Sequence, residues 1–220
     1  MCVPAIFGCE SNKKTTLVLV RHGQTLANIN HILVGKRLDS ELTSLGQAQA
    51  AARGKSFENK YSFNSFYCSS LKRTENTGKI ILQNMDNQEP ISPVVLSGLD
   101  DVDYGQATGM TAEEAVNTYG GAEFPINFGS FDDPLYTPSF TEENSYAWLK
   151  RFEESLYSIA KEEVGNTVLV MIHGACYNWG RYRFGEDRVL SMANCGYAEI
   201  EYRSGKFYLN HWDGAGPLLN

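Results

Sequence analysis

The chain has 220 residues, 42% of them hydrophobic and 20% charged, with a net charge of −7, a balance that suits one globular domain able to bury its own core. The negative charge argues against a nucleic-acid or anionic-membrane surface, so an anion site must be a local positive pocket in an acidic protein. The five cysteines are odd in number and form no C-x-x-C pair, which argues against a disulfide framework or a cysteine zinc site and predicts a reducing, cytoplasmic setting.

Residues 1–14 read as a flexible amino-terminal tail, because the apolar run from Val3 to Gly8 is short and no Lys or Arg precedes it. Residues 15–220 read as a single domain, with no stretch long enough to span a membrane. Thr16 to Val20 is an unbroken apolar or β-branched run, the pattern of a strand buried on both faces. It stops at Arg21, His22 and Gly23, where glycine lets the backbone approach a ligand or take an unusual turn. A polar loop follows from Gln24 to Glu41. Thr43 and Ser44 then cap a helix that starts near Leu45. Ser62 to Ser69 reads as a second strand. Arg73 opens a helix that runs through Ile80, Ile81 and Leu82, and Pro93 to Leu96 reads as a third strand. The segment after it, 98–105, is acidic and turn-like and holds Asp101 and Asp103.

Thr111 and Glu114 form a capping-box pattern. Residues 117–140 are irregular, and their aromatics Phe124, Phe128, Phe131 and Tyr136 suit either a substrate lid or a loop anchor. From about Thr141 to Glu163 a helix is expected, with Leu149, Phe152, Leu156 and Ile159 as its core stripe. Thr167 to Ile172 is a second fully apolar strand and ends in His173-Gly174. Tyr197 to Glu201 and Lys206 to Asn210 flank Ser204-Gly205 as a closing hairpin. Strands alternating with helices predict an α/β fold: a three-layer α/β/α sandwich with a mostly parallel central sheet and an antiparallel C-terminal edge strand.

In such a sheet the two buried strands end at the same edge, where ligands bind in open α/β folds. Arg21, His22 and His173 would then share a crevice, with Arg73 beside them. Paired guanidiniums recognise a tetrahedral oxyanion. A neutral, oriented imidazole can act as a nucleophile, and a loop carboxyl such as Asp101 can supply a proton to a leaving group.

Several motifs carry a resemblance to the histidine phosphatase superfamily, the phosphoglycerate mutase-like family. They are Arg21-His22-Gly23-Gln24-Thr25 with Asn28, then Gly35, Asp39, Leu42, Thr43, Gly46, Gln49 and Ala50, then Ser69-Ser70-Leu71-Lys72-Arg73. Leu99, Asp101, Gly105 and Gly109 follow the family's acid loop, and His173-Gly174 its second histidine. The resemblance runs from about Thr16 to Trp212. It implies that His22 becomes a phosphohistidine, that Arg21, Arg73, His173 and Gly174 bind the phosphoryl group with help from Asn28, and that Asp101 is the general acid and base. It implies no cofactor and no metal. The implied partner is a small phosphorylated metabolite, with no nucleic acid and no membrane, and with the enzyme a monomer or homodimer.

Departures from the family pattern set the finer expectation. The acid position holds Asp101 where small phosphatases and mutases usually have Glu, and Asp103 is a nearby alternative. Ala107-Thr108-Gly109 replaces the frequent W-E-G. Val102 stands where cofactor-dependent mutases carry a basic residue, and residues 104 to 149 contain no Lys or Arg. These features favour a metal-independent phosphomonoesterase of the small-phosphatase branch. A cofactor-dependent phosphoglycerate mutase and a catalytically weak phosphate-binding module are the alternatives. Arg181, Arg183 and Arg188 are expected to lead away from the crevice. His31 and His211 are expected on loops or in structural hydrogen bonds, and Cys176 as a buried filler.

Overall fold

The computed structural model describes residues 13–120, 137, 139–185, 191–217 and 219. Expectations about the first twelve residues, about Phe124, Phe128, Phe131 and Tyr136, and about Arg188 lie outside the described residues. Among the described residues one sheet of six strands runs through the molecule in the order β3-β2-β4-β1-β5-β6. The strands are β1 (Thr15–Arg21), β2 (Ser65–Cys68), β3 (Pro93–Val95), β4 (Thr167–Ile172), β5 (Tyr197–Arg203) and β6 (Lys206–Asp213). The first four are parallel, and the closing hairpin β5–β6 supplies the antiparallel part.

The sandwich follows from side-chain alternation on the two central strands. Leu17, Leu19, Val168, Val170 and Ile172 point to one face. There they meet α5 (Ser145–Glu162) through Trp148, Phe152, Leu156 and Ile159, and α6 (Cys176–Phe184) through Trp179. Val18, Val20, Leu169 and Met171 point to the other face. They meet α2 (Ser44–Phe57) and α3 (Lys72–Gln83) through Ala50, Phe57, Ile81 and Leu82. The chain thus leaves β1 toward one face and β4 toward the other. That divergence opens a crevice between their carboxyl ends, the usual ligand position in open α/β sheets.

The register makes the crevice specific. Arg21 pairs with Ile172 across the β1–β4 ladder, so the next residues, His22 and His173, emerge side by side. A four-residue helix, α1 (Leu26–Ile29), and the capping-box helix α4 (Ala112–Tyr119) complete the surround. The first lies inside what the sequence reads as a polar loop. No helix among the described residues is long and apolar enough to cross a membrane.

Candidate active site

His22 is 4% exposed at the end of β1. Its Nδ1–H donates to the Gly23 carbonyl at 2.8 Å. That carbonyl can only accept, so the ring is fixed with its lone pair on Nε2. Burial holds the imidazole well below its ordinary pKa, reinforced by Arg73, His173 and Arg21. His22 is thereby kept neutral and nucleophilic. His173 lies edge-on to it, with ring centroids 5.4 Å apart. Its Nε2 meets the Ser69 hydroxyl at 2.8 Å, and burial, then Arg73, Arg21 and Arg151, lower its pKa as well.

Two guanidiniums flank the histidines. Arg21 donates through Nη1 to the Met192 carbonyl at 2.6 Å. Gly174 lies against the flat of its guanidinium, where a Cβ would come within 3.3 Å of Cζ. Arg73, in the first turn of α3, is 1% exposed. It donates to the Gly35 carbonyl at 2.9 Å, to Asp39 Oδ1 at 3.1 Å and to Asp101 Oδ2 at 3.3 Å. Asp39 also accepts the backbone N–H of Lys72, which ties the orienting carboxylate to the start of the same helix. Three nitrogens of this group are buried with no hydrogen-bond partner among the described residues: Arg21 Nε, Arg73 Nε and His173 Nδ1. Buried polar groups are normally satisfied, and a tetrahedral oxyanion beside His22 would satisfy these.

The two aspartates separate cleanly. Asp101 lines the cavity, with Oδ2 3.7 Å from His173 Nδ1 and Oδ1 accepting from the Val102 N–H at 3.0 Å. Asp103 faces the other way. Arg37 grips it through Nε at 2.5 Å and Nη2 at 3.0 Å, the Gly105 N–H donates to it at 2.8 Å, and Lys36 lies 3.4 Å away. Burial pushes its pKa up, but the Arg37 and Gly105 hydrogen bonds outweigh that and hold the carboxyl below its ordinary value. Asp103 is therefore a fixed anion inside an ion network.

Asn28 also lines the cavity. It belongs to a capping box in which Thr25 Oγ1 accepts the Asn28 N–H and Asn28 Oδ1 accepts the Thr25 N–H. The T-x-x-N spacing thus encodes α1. Gly23 also allows a close backbone crossing. A Cβ there would lie 2.5 Å from the Gly46 carbonyl oxygen, and one at Gly46 would strike the Gln24 carbonyl. The two glycines let the active loop and the start of α2 pass backbone to backbone.

Three contributors escape sequence reasoning. Arg151 on α5 donates to the carbonyls of Gly98, Asp100 and Asp101 at 3.1, 2.6 and 2.6 Å. Asn194 donates from Nδ2 to the His22 carbonyl at 3.0 Å and to Asn28 Oδ1 at 3.2 Å. Its turn is held by the buried Arg53, whose Nε donates to the Cys195 carbonyl at 2.7 Å. His31 is exposed but lines the cavity mouth. His211 packs on Tyr197 away from the cavity, Cys176 is buried with its thiol pushed up by burial, and Arg181 and Arg183 lie in the last turn of α6.

The cavity encloses about 590 Å³, enough for a small phosphorylated molecule. His22, Arg21, Arg73, Asp101, Asn28 and Gly174 all line it, with the His173 ring edge-on to that of His22. The arrangement places a neutral imidazole able to act as a nucleophile, two fixed cations, a second imidazole and a carboxyl around one point.

Comparison with known proteins agrees. A 2,3-bisphosphoglycerate-dependent phosphoglycerate mutase of Allorhizobium ampelinum is 32% identical over 161 residues, spanning 72% of this chain and 74% of that protein. A phosphoglycerate mutase structure from Bacillus anthracis superposes with a TM-score of 0.77 at 21% identity, over 93% of this chain and 94% of that one. Phosphoserine phosphatase from Entamoeba histolytica, solved with 3-phosphoglyceric acid, has a TM-score of 0.70 and 26% identity, over 90% and 96%. The model of the histidine phosphatase superfamily (branch 1) matches residues 17–214, and the chain belongs to that superfamily as a phosphoryl-transfer enzyme.

Proposed function

We propose that this enzyme is a metal-independent phosphomonoesterase acting on a small phosphorylated metabolite through a phosphohistidine at His22. The observation that carries the reading is the set of buried nitrogens on Arg21, Arg73 and His173 that have no hydrogen-bond partner among the described residues, around a neutral His22. In the first step the Nε2 lone pair attacks phosphorus and the bond from phosphorus to the alcohol oxygen breaks. Asp101 gives its proton to that oxygen. In the second step water attacks the phosphohistidine, Asp101 takes the water's proton, and the N–P bond breaks to release phosphate. Arg21 and Arg73 supply the positive field that a metal ion supplies in other phosphoryl-transfer sites, and the neutral His173 adds a hydrogen-bonding imidazole beside them. Activity should therefore persist in excess chelator.

Hydrolysis is favoured over mutase action by charge. A mutase must hold the substrate's carboxylate and a second phosphate while water is kept out. Here Val102 follows the acid, and residues 104 to 149 carry no Lys or Arg. The curated relative's name keeps the mutase reading as the competitor. The deciding experiment incubates enzyme with 3-phosphoglycerate and a trace of 2,3-bisphosphoglycerate and follows 2-phosphoglycerate and free phosphate together. Phosphate release without appreciable isomer supports the phosphatase; isomer formed much faster than phosphate makes the enzyme a mutase.

A further inference from the structure

The cavity extends beyond the phosphoryl-binding residues, and its far wall is of a different character. Residues 31–34 are zipped against 109–112. The Leu33 N–H donates to the Met110 carbonyl at 2.9 Å, the Gly109 N–H to the Leu33 carbonyl at 2.8 Å and the Ala112 N–H to the His31 carbonyl at 3.1 Å. Ile32 and Thr111 form a bridge. The cavity-lining residues of this wall and of α1 are Ala27, Ile32, Leu33, Val34 and Ala112, with Asn28 and His31 as the polar members and Tyr104 beside them. The wall has its own backing. Ala107, Ala115 and Phe140 form a buried cluster behind it, against which Leu33, Tyr104 and Met110 pack. A built apolar surface of this kind is a preformed subsite, not a stretch of loop that folds away.

Among the described residues only Arg21 and Arg73 line the cavity as side chains with a permanent positive charge, and both belong to the phosphoryl end. The cations nearest the wall in the chain are Lys36 and Arg37. Lys36 lies 3.4 Å from both Asp103 and Glu143, and Arg37 is bidentate on Asp103. Outside the described residues the sequence carries one further Lys or Arg, Arg188. An anionic group pressed on this wall would lose its water and meet no Lys or Arg among the described residues that form it, an unfavourable exchange.

On the phosphatase reading, we infer that the enzyme selects phosphate monoesters of uncharged, largely apolar alcohols and discriminates against alcohols that carry a second negative charge. The phosphoryl end supplies transfer chemistry that is the same for every ester. The wall of Ile32, Leu33, Val34 and Ala112 sets which ester is taken.

The test compares 4-carbamoylphenyl phosphate with 4-carboxyphenyl phosphate, which are nearly isosteric and differ by one charge. The carbamoyl ester should have the higher kcat/KM by at least about tenfold, equivalent to about 1.4 kcal/mol. Val34→Lys should narrow or invert that ratio while phenyl phosphate is still hydrolysed. Arg188→Ala and His31→Ala should leave the ratio unchanged. A wild-type ratio near one, or a preference for the carboxylate, overturns the inference, and loss of such a preference in Arg188→Ala or His31→Ala would identify the hidden anchor. Phosphate release from either ester tests hydrolysis separately, because only the ratio reports on the wall. If the reaction stops at the phosphoenzyme, the relative rates of His22 labelling carry the same ratio. No label and no phosphate from either ester overturns the inference together with the reading it rests on.

Discussion

The Nη2 of Arg151 donates to the backbone carbonyl of Asp101 at 2.6 Å, so a helix fifty positions downstream holds the loop that presents the candidate acid. The same guanidinium is fixed from behind by Glu143, with Nε 2.8 Å from Oε1 and Nη2 2.9 Å from Oε2. Glu143 also accepts the Asp103 N–H at 2.9 Å. Loop, helix and carboxylate form one clamp. Lysine cannot reproduce a planar fork that reaches three carbonyls and a carboxylate. Arg151→Lys should therefore slow alkyl phosphates by roughly tenfold, a fraction of what general acid catalysis contributes, and slow activated aryl phosphates much less. Equal losses on both ester classes would mean that Arg151 only stabilises the fold.

The two neighbouring carboxyls lead to opposite expectations. Asp101→Asn removes the proton for the leaving oxygen and should slow alkyl phosphates by about 10²–10⁴-fold, with a smaller effect on the first step for aryl phosphates. Asp103→Asn instead leaves Arg37 and Lys36 facing a neutral amide within a network beside the buried Glu143. It should lower stability by about 1–3 kcal/mol, the usual penalty for an unsatisfied buried group, without altering the dependence on leaving group. Leaving-group series and urea melts on both variants separate the two roles, and a reversed pattern would transfer the acid role to Asp103.

How legible the site was depended on whether each contribution lies along the chain or across it. His22 and His173 could be paired from sequence because both end apolar runs, and parallel neighbours deliver their ends to one edge. Arg73 was visible through Ser69-Ser70-Leu71-Lys72-Arg73, and the Thr111–Glu114 capping box appears as expected. Helix α1 was hidden because it has four residues and leaves Leu26 and Ile29 exposed, so no apolar stripe marks it. Only the Thr25–Asn28 capping pair could have done so. Arg151 was hidden for another reason. It sits between the core positions Leu149 and Phe152 and reads as a solvent-facing cation, while its partners are carbonyls that no side-chain pattern records. Asp101 matched the family's acid position in the sequence, with Asp103 two residues on left as the alternative, and it is the tertiary contact of Asp103 with Arg37 that separates their environments.

The hydrogen bond from His22 Nδ1–H to the Gly23 carbonyl leaves the lone pair on Nε2, the atom that attacks in the proposed mechanism. Phosphate should therefore be found on Nε2 and not Nδ1. Asp101→Asn treated with an aryl phosphate should accumulate the acid-labile phosphoenzyme, because the step that needs a base for water is slowed. Phosphorus and nitrogen NMR on that species identify the substituted nitrogen. A phosphoryl group on Nδ1 would require the Gly23 hydrogen bond to break and would refute the assignment. His22→Ala should give no label and no turnover, with the melting profile of a folded protein.

The two buried imidazoles, His22 and His173, also shape stability against pH. Their folded pKa values lie well below the ordinary 6.5, with burial as the largest cause. Below that value the unfolded chain binds protons at these positions and the folded chain does not. Stability is thus fully present above pH 6.5 and falls as pH drops below it. Each imidazole contributes a slope of up to about 1.4 kcal/mol per pH unit, and the two together up to about 2.8. The window is about pH 4.5 to 6.5, since ordinary carboxylates begin to titrate below it. Urea denaturation at closely spaced pH values should show this slope in the wild type. Replacing both histidines by glutamine removes the titrating groups while keeping polar side chains of similar size, so the slope over the same window should largely disappear. A double variant that retains the full slope would show that His22 and His173 are protonated in the folded protein, which would also deprive His22 of its lone pair for attack.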